Sequence, residues 1–297
     1  MLFQHQLKIR NPAPLLNLAI LGVLVLLYAP ILLHWWDGWI RKTISTEHEY
    51  FSHGMIGLPF AVYLVWVNRK KWQRLPDSTH PLGAALLLLG GVFYLSGVTE
   101  WVNLSLPAIL AGLCLWFKGT AGFKLQGFAL LLVFFATPTA VPYLIAPYTL
   151  PLQSFIAGTA GFILNQFGME VMVNGINLYV GGRIVEVAPY CAGLKMLFTT
   201  FYVSLMLLYW TGALSSRRTT GWFLCTALII SITANIIRNT FLTLFHGTGQ
   251  ESMFEWLHDG WGGDLYSACM LLSLVPILNW MDKYFSPIQA TEQEIES

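Results

Sequence analysis

The sequence predicts an all-α polytopic membrane protein. It comprises about eight transmembrane helices, one interfacial or re-entrant helix, and a short extracytoplasmic β-hairpin just ahead of a cysteine. Three observations carry this. The 297 residues are 56% hydrophobic and only 10% charged, against about a quarter charged in soluble domains, and mean hydropathy is +0.60. The apolar residues fall in runs close to the roughly 20 residues that cross a bilayer. The basic residues gather between those runs. Backbone groups in lipid must be bonded within the segment, so the runs are helices.

The spans are expected at about 14–33, 54–69, 82–98, 103–118, 125–146, 191–212, 221–245 and 263–281. The first is too long for a signal-peptide core and lacks a small-residue cleavage site before Trp35-Trp36. Lys8 and Arg10, then Arg69-Lys70-Lys71 with Arg74, Lys118 and Lys124, Arg217-Arg218, and Lys283 alternate with the spans. Cytoplasmic loops carry excess Lys and Arg, so these face the cytoplasm. Both termini are then cytoplasmic in a multi-pass plasma (inner) membrane protein, and loops 34–53, 147–190 and 246–262 are extracytoplasmic. The division is a tail 1–13, one membrane domain 14–281 and a tail 282–297. Trp35, Trp36, Trp39, Trp101, Trp256 and Trp261 are expected as an outer aromatic belt, and Trp66, Trp72, Trp116 and Trp222 as an inner one.

Residues 150–167 are apolar enough to enter the membrane, but Pro138, Pro142, Pro147 and Pro151 argue against one straight helix. They are read as interfacial or re-entrant. Asn174-Gly175, β-branched residues and Gly181-Gly182 then suggest the hairpin leading to Cys191.

The net charge of +1 says nothing about an acidic partner, and there is no basic nucleic-acid footprint. Cys114, Cys225 and Cys269 lie in apolar runs and are expected as small core residues. Glu47, His48, Glu49 and His53 lack the spacing of a zinc peptidase. No metal or cofactor is expected, and His53 is expected to line an outer cavity as part of a polar plug.

Three reactive side chains remain near one leaflet. Pro189 before Cys191 and Gly193 after it place a helix start near the thiol. There, exposed N–H groups would stabilise a thiolate or hold an oxyanion, and Gly193 would admit a second chain closely. A nucleophile and a buried structural thiol both fit. Arg238 lies about two turns below His246, and a guanidinium within a span is costly. It serves a site or bridges to a carboxylate such as Glu186 or Glu255, with Asn235 one turn earlier to orient it. His258 is either a solvated loop residue or a base suited to a thiol proton.

In order along the chain, these pieces resemble the exosortase/archaeosortase family. They are Tyr50-Phe51-Ser52-His53-Gly54, the proline-rich stretch 138–151 with Leu152-Gln153, Gly168 and Asn174-Gly175, then Cys191-Ala192-Gly193, Asn235-Ile236-Ile237-Arg238 and His258. The resemblance spans roughly residues 15 to 281. It implies a membrane-embedded cysteine peptidase or transpeptidase that forms a thioacyl intermediate at the outer interface. Cys191 looks like the nucleophile, Arg238 like the activating or oxyanion-stabilising cation, and His258 like the general base. Asn235, Glu186, Arg183, Gly193 and His53 would be supporting residues. The implied partners are exported proteins with a C-terminal recognition motif, a transmembrane helix and a basic cluster. Membrane lipid and a glycan or lipid amine acceptor would complete the set. Ala192 stands where the family commonly has Ser, so a hydroxyl is missing beside the thiol. Two other readings use the same residues: a transporter or assembly scaffold without catalysis, and a cysteine acyltransferase acting on lipid or glycan.

Overall fold

A computed structural model describes residues 13–41, 50–187, 193–258 and 260–296, with side chains for 18–40, 50–187, 193–258 and 260–285. Cys191 and its neighbours 188–192 lie outside the described residues, as do 42–49.

The helices are α1 (Ala13–Arg41), α2 (Gly54–Arg74), α3 (Pro81–Leu95), α4 (Thr99–Ala136), α5 (Val141–Ile145), a 3-10 turn (Ala146–Thr149), α6 (Leu150–Gln166), α7 (Leu194–Thr211), α8 (Arg217–Gly247), α9 (Glu251–His258) and α10 (Trp261–Glu296). Each expected span overlaps a helix over most of its length. Five helical segments of the described residues are long and apolar enough to cross a membrane: Leu18–Ile40, Thr99–Ala136, Leu194–Thr211, Arg217–Gly247 and Trp261–Phe285.

The fourth and fifth expected spans both lie in α4, which reverses at Gly119 with φ 58° and ψ −152°, a region only glycine occupies without strain. A straight helix of this length would reach about 57 Å. Instead Asn103, near its start, donates to the carbonyl of Pro138, past its end, at 3.0 Å. The two halves therefore lie side by side. Lys118 ties the reversal down by pairing with Asp77 and donating to the Leu75 carbonyl. The expected helix to residue 146 ends at Ala136 instead. Thr137 precedes Pro138 with an extended ψ of 118°, as residues before proline tend to.

One core joins α1, α2 and α4, with Tyr202 of α7 entering it. Trp35 is fully buried there and donates Nε1–H to Asn103 at 2.9 Å, and Trp39 is buried too. These two are core residues and not belt residues, whereas Trp36, Trp101 and Trp261 are exposed. Trp35→Ala is expected to destabilise by about 3–5 kcal/mol, the usual cost of such a truncation. It also strands Asn103. A thermal melt in detergent reads the effect.

A second core packs Leu208 of α7, Phe223 and Ala227 of α8, and Leu274 and Leu278 of α10. Cys225 and Cys269 are exposed on these helices and Cys114 is half-buried, so the expectation of three core thiols is corrected.

In place of a two-stranded hairpin, the chain forms a three-stranded antiparallel meander. Its strands are β1 (Val171–Asn174), β2 (Asn177–Val180) and β3 (Arg183–Glu186), in that order across the sheet. Both connections are two-residue turns. Gly181 and Gly182 have φ of 56° and 75°, and Gly175 has 62°, the values such hairpin turns demand. One face of the sheet buries Leu178 and Val180 against Ile156, Ala157, Ala160 and Leu164 of α6 and Ile236 and Leu244 of α8. The other face of α6 carries exposed Phe155 and Phe162, followed by exposed Phe167. The sheet is thus seated on one end of α8.

Candidate active site

Two features of α8 decide where the site lies. Its 31 residues measure about 46 Å at 1.5 Å per residue, well beyond the roughly 30 Å of hydrocarbon. Arg238 stands 21 residues after Arg217, about 31 Å along the axis. The guanidinium therefore sits one bilayer thickness from the Arg217-Arg218 end, and the last turns form a stem that carries the sheet. The sequence reading placed Arg238 two turns inside a span. A span that began at Arg217 would put it at a rim.

Four chain segments meet at that rim. The first is α7, which begins at Leu194 after Gly193, whose φ is +83°. The helix start expected near Tyr190 or Cys191 falls outside the described residues. A side chain at Gly193 would lie 2.6 to 3.1 Å from Asn235 atoms, so its lack of one lets the two elements touch. The second is α8, which contributes Asn235, Arg238 and Asn239. The third is the join of α9 to α10, since Arg238 Nη2 donates to the carbonyls of Leu257 (3.3 Å) and His258 (3.2 Å). The fourth is the end of β3.

Asn235 was expected to orient Arg238. It bonds instead to Asn239, which donates Nδ2–H to the Asn235 carbonyl at 2.9 Å and to its side-chain oxygen at 3.3 Å. That leaves the Asn235 amide Nδ2 and the Arg238 Nε buried with no partner among the described residues. Unmet buried donors are costly, and here two lie one helical turn apart. Nor is Arg238 paired with Glu186 or Glu255: its bonds among the described residues are to backbone carbonyls.

Above the rim lies a cavity of about 210 Å³. Its walls include Glu186 of β3, Asn239 and His246 of α8, and Phe254 and His258 of α9. His258 was read as a loop residue; it ends a two-turn helix and stacks on Phe254, with ring centroids 5.1 Å apart. Arg183 does not reach this cavity's wall. It pairs with Glu251 and donates to the His246 carbonyl at 3.2 Å, clasping the sheet to the end of the stem.

His53 is not gathered into the site. It is 4% exposed, its Nε2–H donates to the Phe135 carbonyl at 3.0 Å, and its ring lies 4.4 Å from that of Tyr202. Burial pushes its imidazole down to about 4, so it stays neutral. It locks the start of α2 to α4 instead of lining a cavity.

The residue the sequence reading passed over is Asn239. Its signal was available: Asn235 and Asn239 stand at helical i, i+4 spacing within an apolar run, and both are buried. Buried amides need partners, and the spacing supplies each with the other.

The arrangement can bind an acceptor. The Asn235 amide meets Gly193, the Arg238 guanidinium stands one helical turn on, each with a donor unpartnered among the described residues, and a cavity walled by an imidazole and a carboxylate lies close by. That is the equipment for stabilising negative charge on an oxygen or a sulfur. A family model described as transmembrane exosortase matches residues 35–275. No curated protein and no solved structure matches the chain.

Proposed function

This chain belongs to the transmembrane exosortase family, and on that premise we propose that it is a cysteine peptidase, acting as a transpeptidase where an amine acceptor is present. It cleaves the C-terminal sorting signals of exported proteins at the outer membrane–water interface. The observation that carries the reading is the pair of donors unpartnered among the described residues, Asn235 Nδ2 and Arg238 Nε, the first of them against Gly193. Cys191 is two residues from Gly193, and successive Cα atoms are about 3.8 Å apart. Two such steps bound the Cα of Cys191 to within about 7.6 Å of that of Gly193, the residue that meets Asn235.

The steps follow from these parts. His258 takes the Cys191 thiol proton, the thiolate attacks the scissile carbonyl, and the oxyanion is held by Arg238 and Asn235. His258 protonates the departing amine as the C–N bond breaks, leaving a thioester on Cys191. Water, or the amine of a glycan or lipid, then attacks the thioester and restores the thiol. The substrates are exported proteins with a recognition motif, one transmembrane helix and a basic cluster. The chain lies in the plasma (inner) membrane with both termini cytoplasmic, its eight spans formed by α1 to α3, the two halves of α4, α7, α8 and α10. The site faces the extracytoplasmic side. The stem of α8 supports this orientation, as do the aromatics on the exposed face of α6, which suit a helix lying at the interface.

Cys191→Ala is expected to leave the folded chain intact in membranes and to accumulate full-length substrate. Full processing by this variant would remove the nucleophile assignment. A second test is labelling with a membrane-impermeant thiol reagent applied from outside. Cys191 is expected to react at least about tenfold faster than Cys225 or Cys269, whose exposed faces look toward lipid. Equal rates at the three thiols would contradict the placement.

A further inference from the structure

The two edges of the sheet are treated differently. Strand register and two-residue turns fix which backbone groups point where. Across the Gly181-Gly182 turn, Val180 faces Arg183 and Leu178 faces Val185. A two-residue turn makes its flanking pair a hydrogen-bonded one, and bonded pairs then alternate. The bond from Val187 N–H to the Ile176 carbonyl at 2.9 Å continues that series. Arg183, Val185 and Val187 thus turn their backbone groups toward β2, while Ile184 and Glu186 turn theirs outward. On β1 the same count, with Asn174 facing Asn177, turns Val171 and Val173 outward.

The β1 edge is capped at Val171, one of its two outward residues. The side chain of Asn165 donates to the Val171 carbonyl and accepts from the Val171 N–H, both at 3.0 Å, as a neighbouring strand would. The β3 edge has no such cover: among the described residues, Ile184 and Glu186 have no backbone partner on their outward side. That edge opens on the 210 Å³ cavity, whose walls include both residues, Leu242 and His258. An unpaired strand edge is a template for another extended chain, and strand addition is a standard mode of peptide capture.

We propose that the β3 edge binds the polypeptide substrate by strand addition. An extended segment next to the scissile bond pairs its backbone with the N–H and C=O groups of Ile184 and Glu186. This deepens the peptidase reading and rests on it. The occupant is a peptide in extended form because the edge offers alternating donors and acceptors at strand spacing. The same cavity that holds the segment reaches His258 at one wall and lies above Arg238, so pairing at the edge carries the next peptide bond toward those groups. Leu242 and Phe254 give an apolar wall for one substrate side chain, and the remaining recognition falls on the backbone.

The test uses the full chain in membranes and, as probe, a precursor that is shortened in cells carrying the chain and full length in cells lacking it. Ile184→Pro deletes one outward N–H that the sheet does not use, and proline is tolerated at such edge positions. It is expected to slow processing at least tenfold, whereas Ile184→Ala, which keeps the N–H, slows it less than threefold. Independently of folding in the proline variant, hydrogen exchange is followed in the purified Cys191→Ala chain. The Ile184 and Glu186 amides are expected to exchange freely alone and at least tenfold more slowly with the precursor added. Processing by Ile184→Pro at the wild-type rate, exchange unchanged by precursor, or exchange already slow without it would each overturn the proposal. Processing by Cys191→Ala would overturn the nucleophile assignment alone, because exchange at the edge is read separately.

Discussion

Arg238→Lys is expected to process substrate at least about 100-fold more slowly than the wild type, with helix packing unchanged. Loss of one donor to a developing oxyanion typically costs 10²–10³ in rate, and lysine keeps the charge while losing the fork. Arg238 divides its donors: Nη2 holds the Leu257 and His258 carbonyls, and Nε is left over. A lysine ammonium can satisfy one of these duties and not both. The measurement is initial rate in membranes, beside a thermal melt of the purified chain. A lysine variant within threefold of wild type would mean the guanidinium only clamps the α9–α10 join.

Gly193→Ala is expected to combine a backbone cost with a clash at the site itself. At φ +83° an alanine costs about 1–2 kcal/mol from backbone sterics. Its methyl would also sit 2.6 Å from Asn235 Nδ2, pushing a buried amide from its place, and misplacing such a group costs about another 1–3 kcal/mol. Gly212 separates the two causes. Its φ is +79°, and a methyl there would meet nothing within 4 Å. Gly212→Ala is expected to show the backbone cost alone and to keep processing. Equal melting losses for the two variants would show that the contact with Asn235 carries no energy.

The helices were legible because apolar runs of bilayer length admit few other structures. What the runs cannot encode is which face meets which neighbour. A helix apolar on all sides has no preferred stripe, so Trp35 and Trp39 read as interface anchors, although Asn103 and Gly54 receive them in the core. The turn at Gly119 lies between Lys118 and Lys124, which read as brackets of a loop; one glycine does the work of that loop. Asn174-Gly175 and Gly181-Gly182 announced the turns of the sheet, but four-residue strands are too short for an alternation that counts them. At the site, Arg238 stood out by its cost in an apolar run. The contact between Gly193 and Asn235 joins residues far apart in sequence, and no local pattern signals it. Asn235 could be assigned to Arg238 on spacing, yet Asn239, equally well spaced, takes its bonds.

If the chain is the peptidase proposed, the stretch of α8 from Arg217 to Arg238 limits which proteins it could cut. A helix of fixed rise acts as a ruler. On the proposed peptidase reading, a client anchored by its own basic cluster on the same side as Arg217 would have to present its cut site about 31 Å away, whatever sequence it carries there. Adding one turn to the client's anchor lifts that position by about 5.4 Å, out of reach of the donors. Anchor length would then screen clients before any motif is read.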